Sequence, residues 1–227
     1  MPGDFLLLPA FDLAATGLFA LSGALRAVRK GYDVAGLVTL ALVAGIGGGL
    51  LRDGIFLQNG PPAALLDHRY LLAVGIASAV GWFAGAALEQ RFHSIFLVVD
   101  ALGLGAYAVV GAQMALSAGL LVPAALVVGT INAVGGGILR DLLSAEEPEV
   151  FKPGGYYALA AFAGAFAFCA LARWLGLPSS VAAAIGIALT FLLRFLSVRL
   201  GWRTRRAPGR PPWVDHSDGS EPPGDEG

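Results

Sequence analysis

The string Gly47-Gly48-Gly49-Leu50-Leu51-Arg52-Asp53 returns as Gly135-Gly136-Gly137-Ile138-Leu139-Arg140-Asp141, an offset of 88 positions, the difference between 47 and 135. The same offset carries Asp12 onto Asp100, Gly17 onto Gly105, Gly23 onto Gly111 and Gly31 onto Gly119 without a gap. The chain is therefore a duplicated unit. Each copy of the motif ends a long apolar run, and a helix-weakening triglycine joined to an ion-pairing dipeptide is costly in hydrocarbon unless it lines a cavity. Its doubling points to a pathway through a membrane.

Hydrophobic residues make up 56% of the 227 and charged residues only 14%, far from the balance of a soluble domain. The runs approach the ~20 residues that span ~30 Å of hydrocarbon, and they are rich in glycine and alanine, which lets helices approach closely. Breaks at charge, proline and glycine predict an all-α integral membrane protein of seven helices at about 10–28, 34–55, 70–88, 94–113, 121–142, 155–173 and 179–199. The first repeat then covers about 10–88, the second about 94–173, and the helix at 179–199 is left over, either packed on the six-helix core or used in oligomer contacts. Residues 201–227, rich in Pro, Gly and charge, have the composition of a disordered tail.

Basic residues orient the chain. One side collects Arg26, Arg29, Lys30, Arg91, Lys152 and the tail residues Arg199, Arg203, Arg205, Arg206 and Arg210, while the other has Arg69 and Arg173. The bias of lysine and arginine toward cytoplasmic loops puts the C-terminus in the cytoplasm of a cell with this protein in its inner or plasma membrane, and the N-terminus outside. Three spans per repeat is an odd number, so the two copies are expected to be inverted relative to each other, with two weakened helices meeting near the middle.

Three glycines in a helix interior cost about 1 kcal/mol each relative to alanine. Spans two and five are therefore expected to bend or unwind at Gly47, Gly48, Gly49 and at Gly135, Gly136, Gly137 and to line a wet route, though glycines also serve close helix packing. Arg52 and Asp53 fall late in span two, on the side where Asp12 begins span one, so Asp12 and Arg52 can pair. Asp100, Arg140 and Asp141 repeat the arrangement at the opposite end. The expectation is a charged cluster at each mouth of the route, with a helix-pinning salt bridge as the plain alternative for each pair. Carboxylates attract cations and the arginines oppose them, so the orientation of the pair decides the field.

Other chemistry is excluded or weak. Leu50 stands where a dinucleotide fingerprint needs glycine, and no Walker motif, nucleophile elbow or HExxH occurs, so the chain reads as no enzyme and calls for no cofactor. Cys169 is alone, and His68, His93 and His216 are too scattered for a metal site. Five arginines beside a membrane helix fit an orientation signal or anionic lipid heads better than nucleic acid. Tyr70, Trp82, Phe92, Tyr156, Tyr157, Trp174 and Trp202 lie near helix ends, where interfacial anchoring is the simple reading.

The doubled Gly-Gly-Gly-x-x-Arg-Asp, the seven spans and the basic tail resemble the prokaryotic branch of the trimeric intracellular cation (TRIC) channel family, whose bacterial sequences are also described as a glycine-transporter-like domain. The likeness runs from about Asp12 to Arg199. It implies a homotrimer with a potassium-permeable pore inside each protomer, spans two and five kinked at the glycine triplets around that pore, and lipid at protomer surfaces. The Thr-Val-Gly-Tyr-Gly filter of ordinary potassium channels is absent, so potassium with modest discrimination against sodium is the expected permeant. A secondary transporter of a small solute such as an amino acid is the alternative, because inverted repeats serve alternating access equally well. A closed structural or lipid-binding protein is a third.

Overall fold

The computed structural model describes residues 9–58, 60–85, 92–152 and 156–202, and it is all-helical there. In chain order the elements are α1 (Pro9–Lys30), α2 (Val34–Leu51) prolonged by a π-helical turn (Arg52–Leu57), the short α3 (Ala63–Leu66), α4 (His68–Gly85), α5 (Phe92–Ser117), α6 (Val122–Leu143), α7 (Tyr157–Cys169) prolonged by a second π-turn (Ala170–Trp174), and α8 (Ser179–Arg199). Six of these, with their π-turns, are long and apolar enough to cross a membrane. The third expected span corresponds to α4, whose first turn carries His68 and Arg69. The end of that span at 86–88, the first residue of the span at 155–173, and the tail from 203 onward lie outside the described residues.

Local chemistry sets the ends. Gly31 and Gly119, one offset apart, close α1 and α5 with φ of +70° and +85°, a region that side chains avoid and glycine enters freely. Asp33 then caps α2, its Oδ1 accepting from the Gly36 backbone N–H at 2.8 Å. Pro123 opens α6, where a missing N–H costs nothing.

Of the six long helices, α5 and α1 are the most buried. Within the first copy α1 packs on α2 and α4, and within the second α5 packs on α6 and α7. The copies meet through α1 against α5 and α2 against α6, and α8 lies on α5 and α7. Outward faces carry apolar side chains such as Leu71, Leu72, Ile76, Val80 and Phe83 on α4, as a lipid-facing helix requires.

The glycine triplets are not breaks. α2 stays α-helical through Gly47–Gly49 to Leu51, and α6 through Gly135–Gly137 to Leu143, so the expected unwinding is corrected. Close packing offsets their weak propensity. The site of a side chain on Gly48 is filled by the Asn132 carbonyl oxygen, and that on Gly136 by the Ala44 carbonyl oxygen. A methyl on Gly47 would stand 2.6 Å from Leu139 Cδ1, and one on Gly135 2.8 Å from Leu51 Cδ1. In both pairs the contacts exchange when 88 is added to one partner and subtracted from the other. Beyond the triplets both copies make a five-residue bond, Gln58 N–H to the Asp53 carbonyl and Glu146 N–H to the Asp141 carbonyl, and in the first copy it closes a π-turn.

Candidate functional site

Asp12 on α1 and Arg52 and Asp53 at the end of α2 form one buried cluster. Arg52 donates from Nη1 and Nη2 to the two Asp12 oxygens at 3.2 and 3.3 Å. Its Nε and Nη2 bond Asp53 at 2.6 and 3.1 Å. Tyr70 on α4 donates to Asp12 at 2.7 Å, and the Ala63 N–H at the start of α3 donates to Asp53 at 3.0 Å. Every guanidinium nitrogen is used, as a buried arginine requires.

The second copy repeats the plan. Arg140 donates from Nη1 to Asp100 at 2.5 Å and from Nε to Asp141 at 2.9 Å. Tyr157 donates to Asp100 at 3.4 Å, and the Glu149 N–H to Asp141 at 3.2 Å. Nη1 of Arg140 also reaches Ser22 Oγ at 2.9 Å, tying α6 to α1. Here more charge is added. Arg26 stands 3.7 Å from Asp141 and is paired with Glu146, which also takes Lys30 at 3.1 Å. Glu149 bridges Lys152 at 2.8 Å and Arg194 on α8 at 3.0 Å. Phe96 lies under both Arg26 and Arg140, at 4.6 and 4.8 Å from ring centre to guanidinium carbon. Partial burial disfavours the charge on Glu146 and Glu149, yet Lys30 with Arg26, and Lys152 with Arg194, hold both carboxyls below the ordinary glutamate range.

Each cluster forms part of a cavity wall. One cavity, about 450 Å³, is lined by Asp12, Asp53, Tyr70 and Gln113 with apolar Leu57 and Met114 among its other walls. The other, about 240 Å³, is lined by Asp100, Arg26, Glu146, Glu149, Lys152 and Arg194 among others. The first sits at the start of α1 and the end of α5, the second at the end of α1 and the start of α5, so they open at opposite ends of the bundle. Arg52 and Arg140 line neither. Asp12 and Asp53 both face the larger cavity, whereas of the Arg140 pair only Asp100 faces the smaller one.

Between the cavities, one face of α1 carries Asp12, Thr16, Phe19, Ser22 and Arg26 at i, i+4, i+7, i+10 and i+14. The equivalent face of α5 reads Asp100, Leu104, Tyr107, Val110 and Met114. Phe19 and Tyr107, one offset apart, stack on each other at 5.3 Å. The Tyr107 hydroxyl bonds Thr16 Oγ1 at 2.8 Å and donates to the Gly45 carbonyl of α2. All six charged residues singled out in the sequence are thus gathered into two clusters, while Gly47, Gly48, Gly135 and Gly136 lie at the α2–α6 crossing and Gly49 and Gly137 face Arg52 and Tyr157.

Several side chains of the site escaped the sequence reading. Tyr70 and Tyr157, taken as interface anchors, donate to Asp12 and Asp100; they are 87 residues apart, and that one-residue slip hides the correspondence. Ser22, Arg26, Glu146 and Glu149 belong to the second copy's elaboration and have no counterpart at the offset. Thr16 had a signal in the α1 spacing, four residues after Asp12.

Residues 9–86 and 97–173 match the sequence profile of a family described as glycine transporter. A UPF0126 membrane protein of Deinococcus radiodurans is 38% identical over 192 residues, covering 83% of this chain and 86% of that one. The UPF0126 inner membrane protein YadS of Escherichia coli K12 is 29% identical over 188 residues, covering 83% and 90%. Among solved structures, the TRIC trimeric intracellular cation channel orthologue from Rhodobacter sphaeroides superposes with a TM-score of 0.78 at 38% identity, over 85% of this chain and 97% of that one.

Proposed function

This chain belongs to the prokaryotic TRIC family, the one whose profile is described as glycine transporter, and on that premise we propose that it is a monovalent cation channel, potassium-permeable, in the inner membrane. One observation carries the reading: at each end of the bundle at least one carboxylate held by a bridging arginine lines a cavity that the arginine itself does not, Asp12 and Asp53 at one end and Asp100 at the other. A cation entering the larger cavity meets Asp12 and Asp53 with no basic side chain on the wall, in a low-dielectric setting that strengthens their field, while in the smaller one Asp100, Glu146 and Glu149 stand among basic neighbours. Sodium follows potassium with modest discrimination.

The path we infer runs inside each protomer, from Asp12 and Asp53 along the polar face of α1 to Asp100, with three protomers in the assembly and lipid around them. The glycine triplets serve it indirectly, by letting α2 and α6 cross closely enough to hold both arginines in place. The exchange of contacts under the 88-residue offset is the signature of a twofold relation, and it supports two inverted three-helix repeats with α8 as a seventh span. The basic residues around the smaller cavity support a cytoplasmic position for it, with the C-terminus on the same side and the N-terminus outside.

Planar-bilayer recording of the purified protein under a potassium gradient tests the reading. Unitary currents that reverse near the potassium potential are expected. Saturable, proton- or sodium-coupled solute uptake into liposomes without unitary currents would replace it with a carrier, the second reading, which the closed waist between two cavities also suits.

A further inference from the structure

We propose that Thr16 Oγ1, the Gly45 carbonyl oxygen and the Tyr107 hydroxyl form a coordination site for a partly dehydrated monovalent cation, held shut here by Tyr107 itself. The inference rests on the channel reading and adds to it a specific internal site.

Three helices contribute one oxygen each, one turn in from Asp12 on the polar α1 face: α1 through Thr16, α2 through Gly45 and α5 through Tyr107. Tyr107 has one proton, and it is given to the Gly45 carbonyl. Thr16 must then be the donor in its 2.8 Å contact with the phenol oxygen. A helical carbonyl that already serves its own helix keeps a second lone pair, and this one is occupied by a phenolic proton where a cation would otherwise sit. Tyr107 is 1% exposed and Thr16 likewise, so the trio is dry in this conformation.

The duplication makes the point sharper. The residue matching Tyr107 is Phe19, that matching Thr16 is Leu104, and that matching Gly45 is Ala133, so the polar trio belongs to one copy only. Simple packing across a twofold axis is served by Phe19 alone. A hydroxyl placed opposite it, aimed at the second lone pair of a helical carbonyl and backed by a threonine, supplies what packing does not need: oxygen ligands to replace part of a hydration shell. Thr16 lies one helical turn from Asp12, and Ser22 lies on the same face, bonded to Arg140. The face thus offers oxygens in sequence from one cavity toward the other.

The test is single-channel recording of the full chain in planar bilayers with potassium, for the parent, Tyr107→Phe, Thr16→Val and Thr16→Ser, each checked for assembly by gel filtration. Losing the phenolic hydrogen bond should raise open probability about fivefold, the population shift expected for one net hydrogen bond. Thr16→Val, which keeps shape and loses the oxygen, should lower unitary conductance several-fold, and Thr16→Ser should keep it. If Tyr107→Phe does not assemble, the valine and serine pair decides alone. If the parent conducts and either Tyr107→Phe or Thr16→Val behaves as the parent does, or serine loses conductance as valine does, the site is wrong while the channel reading stands. A parent without cation currents overturns both.

Discussion

The Arg52 and Arg140 clusters share one motif and differ in what surrounds them: Arg52 engages its carboxylates through all three guanidinium nitrogens, Arg140 through Nε and Nη1. At the Arg52 end, Asp12 and Asp53 have no other cation within bridging distance among the described residues, and they border the larger cavity. At the Arg140 end, Asp100 and Asp141 are more deeply buried, and Arg26, Lys30, Lys152 and Arg194 are interleaved with Glu146 and Glu149 around the smaller one. The two copies share the bridging arginine and the carboxylates, but the setting of one cavity is spare and acidic and that of the other crowded and nearly neutral. The structural core of the repeat is conserved between the copies, and the electrostatics of access are not.

The largest expected effect comes from removing either arginine. Arg140→Ala should destabilise the protein by about 5 kcal/mol and Arg52→Ala by about 3, the two ends of the range for an orphaned buried charge. The difference follows from burial, because water in the larger cavity can hydrate Asp12 and Asp53, while Asp100 and Asp141 are each only 1% exposed. Thermal melts in detergent check the order. Adding Asp100→Asn to Arg140→Ala should recover part of the loss, and Asp12→Asn should recover less in the Arg52 background. Equal losses at both ends would show that the clusters are energetically equivalent despite their surroundings.

Next are the glycines at the α2–α6 crossing. Gly48→Ala and Gly136→Ala each drive a methyl into a backbone carbonyl, which cannot swing aside, and should cost about 1–3 kcal/mol apiece and about the same. The last glycines of the triplets should part company. A methyl on Gly49 meets only Arg52 Nη2 at 3.7 Å, whereas one on Gly137 meets the Tyr157 hydroxyl at 2.5 Å. Gly49→Ala should be neutral or stabilising by up to about 1 kcal/mol through helix propensity, and Gly137→Ala destabilising. Losses at Gly48 and Gly136 that differ widely would break the twofold relation.

What could be read from the sequence divides along the same line. The repeat, the helical membrane fold and the ion-pairing residues were legible because a seven-residue pattern returns with six identities at a gapless offset, and because apolar length in a bilayer leaves few structures open. The state of the triplets was not. Propensity alone makes three glycines a weak point, but the cost is local while the compensation is tertiary: Gly48 is useful only because Asn132 arrives against it from the other copy. The side on which each arginine sits relative to its cavity was equally hidden, since Arg52 and Asp53 are neighbours in sequence and only the turn at the helix end separates their directions. Tyr107 gave no sign, because its partners Thr16 and Gly45 are 91 and 62 residues away.

Conductance should separate the mouths more gently. Asp53→Asn, at the spare end, should lower potassium conductance several-fold at low salt. Glu149→Gln, amid basic neighbours that can re-pair, should change it less. Both effects should shrink as ionic strength rises and the Debye length falls from about 10 Å at 0.1 M to about 3 Å at 1 M. Paired recordings at the two salt concentrations check this, and a persistent Asp53 effect at 1 M would mean the carboxylate acts by direct coordination more than by its field.

The smallest effect concerns the segment between α6 and α7, which Glu146 ties to Arg26 and Lys30 and Glu149 ties to Lys152 and Arg194. Both carboxyls are held below the ordinary glutamate range, so each contributes stability that is fully present above that range and is lost as pH falls through the lowered values of the folded protein. These pairs are partly open to solvent, and each is worth about 1 kcal/mol or less. The Glu146→Gln/Glu149→Gln variant should therefore melt slightly lower than the parent at neutral pH and converge with it in acid. The Arg52 cluster has no such pair of glutamates among the described residues. A gap between parent and variant that stays constant from neutral pH to well below the glutamate range would mean that the tether holds by packing rather than charge, and the contrast between the two ends would reduce to a difference in crowding.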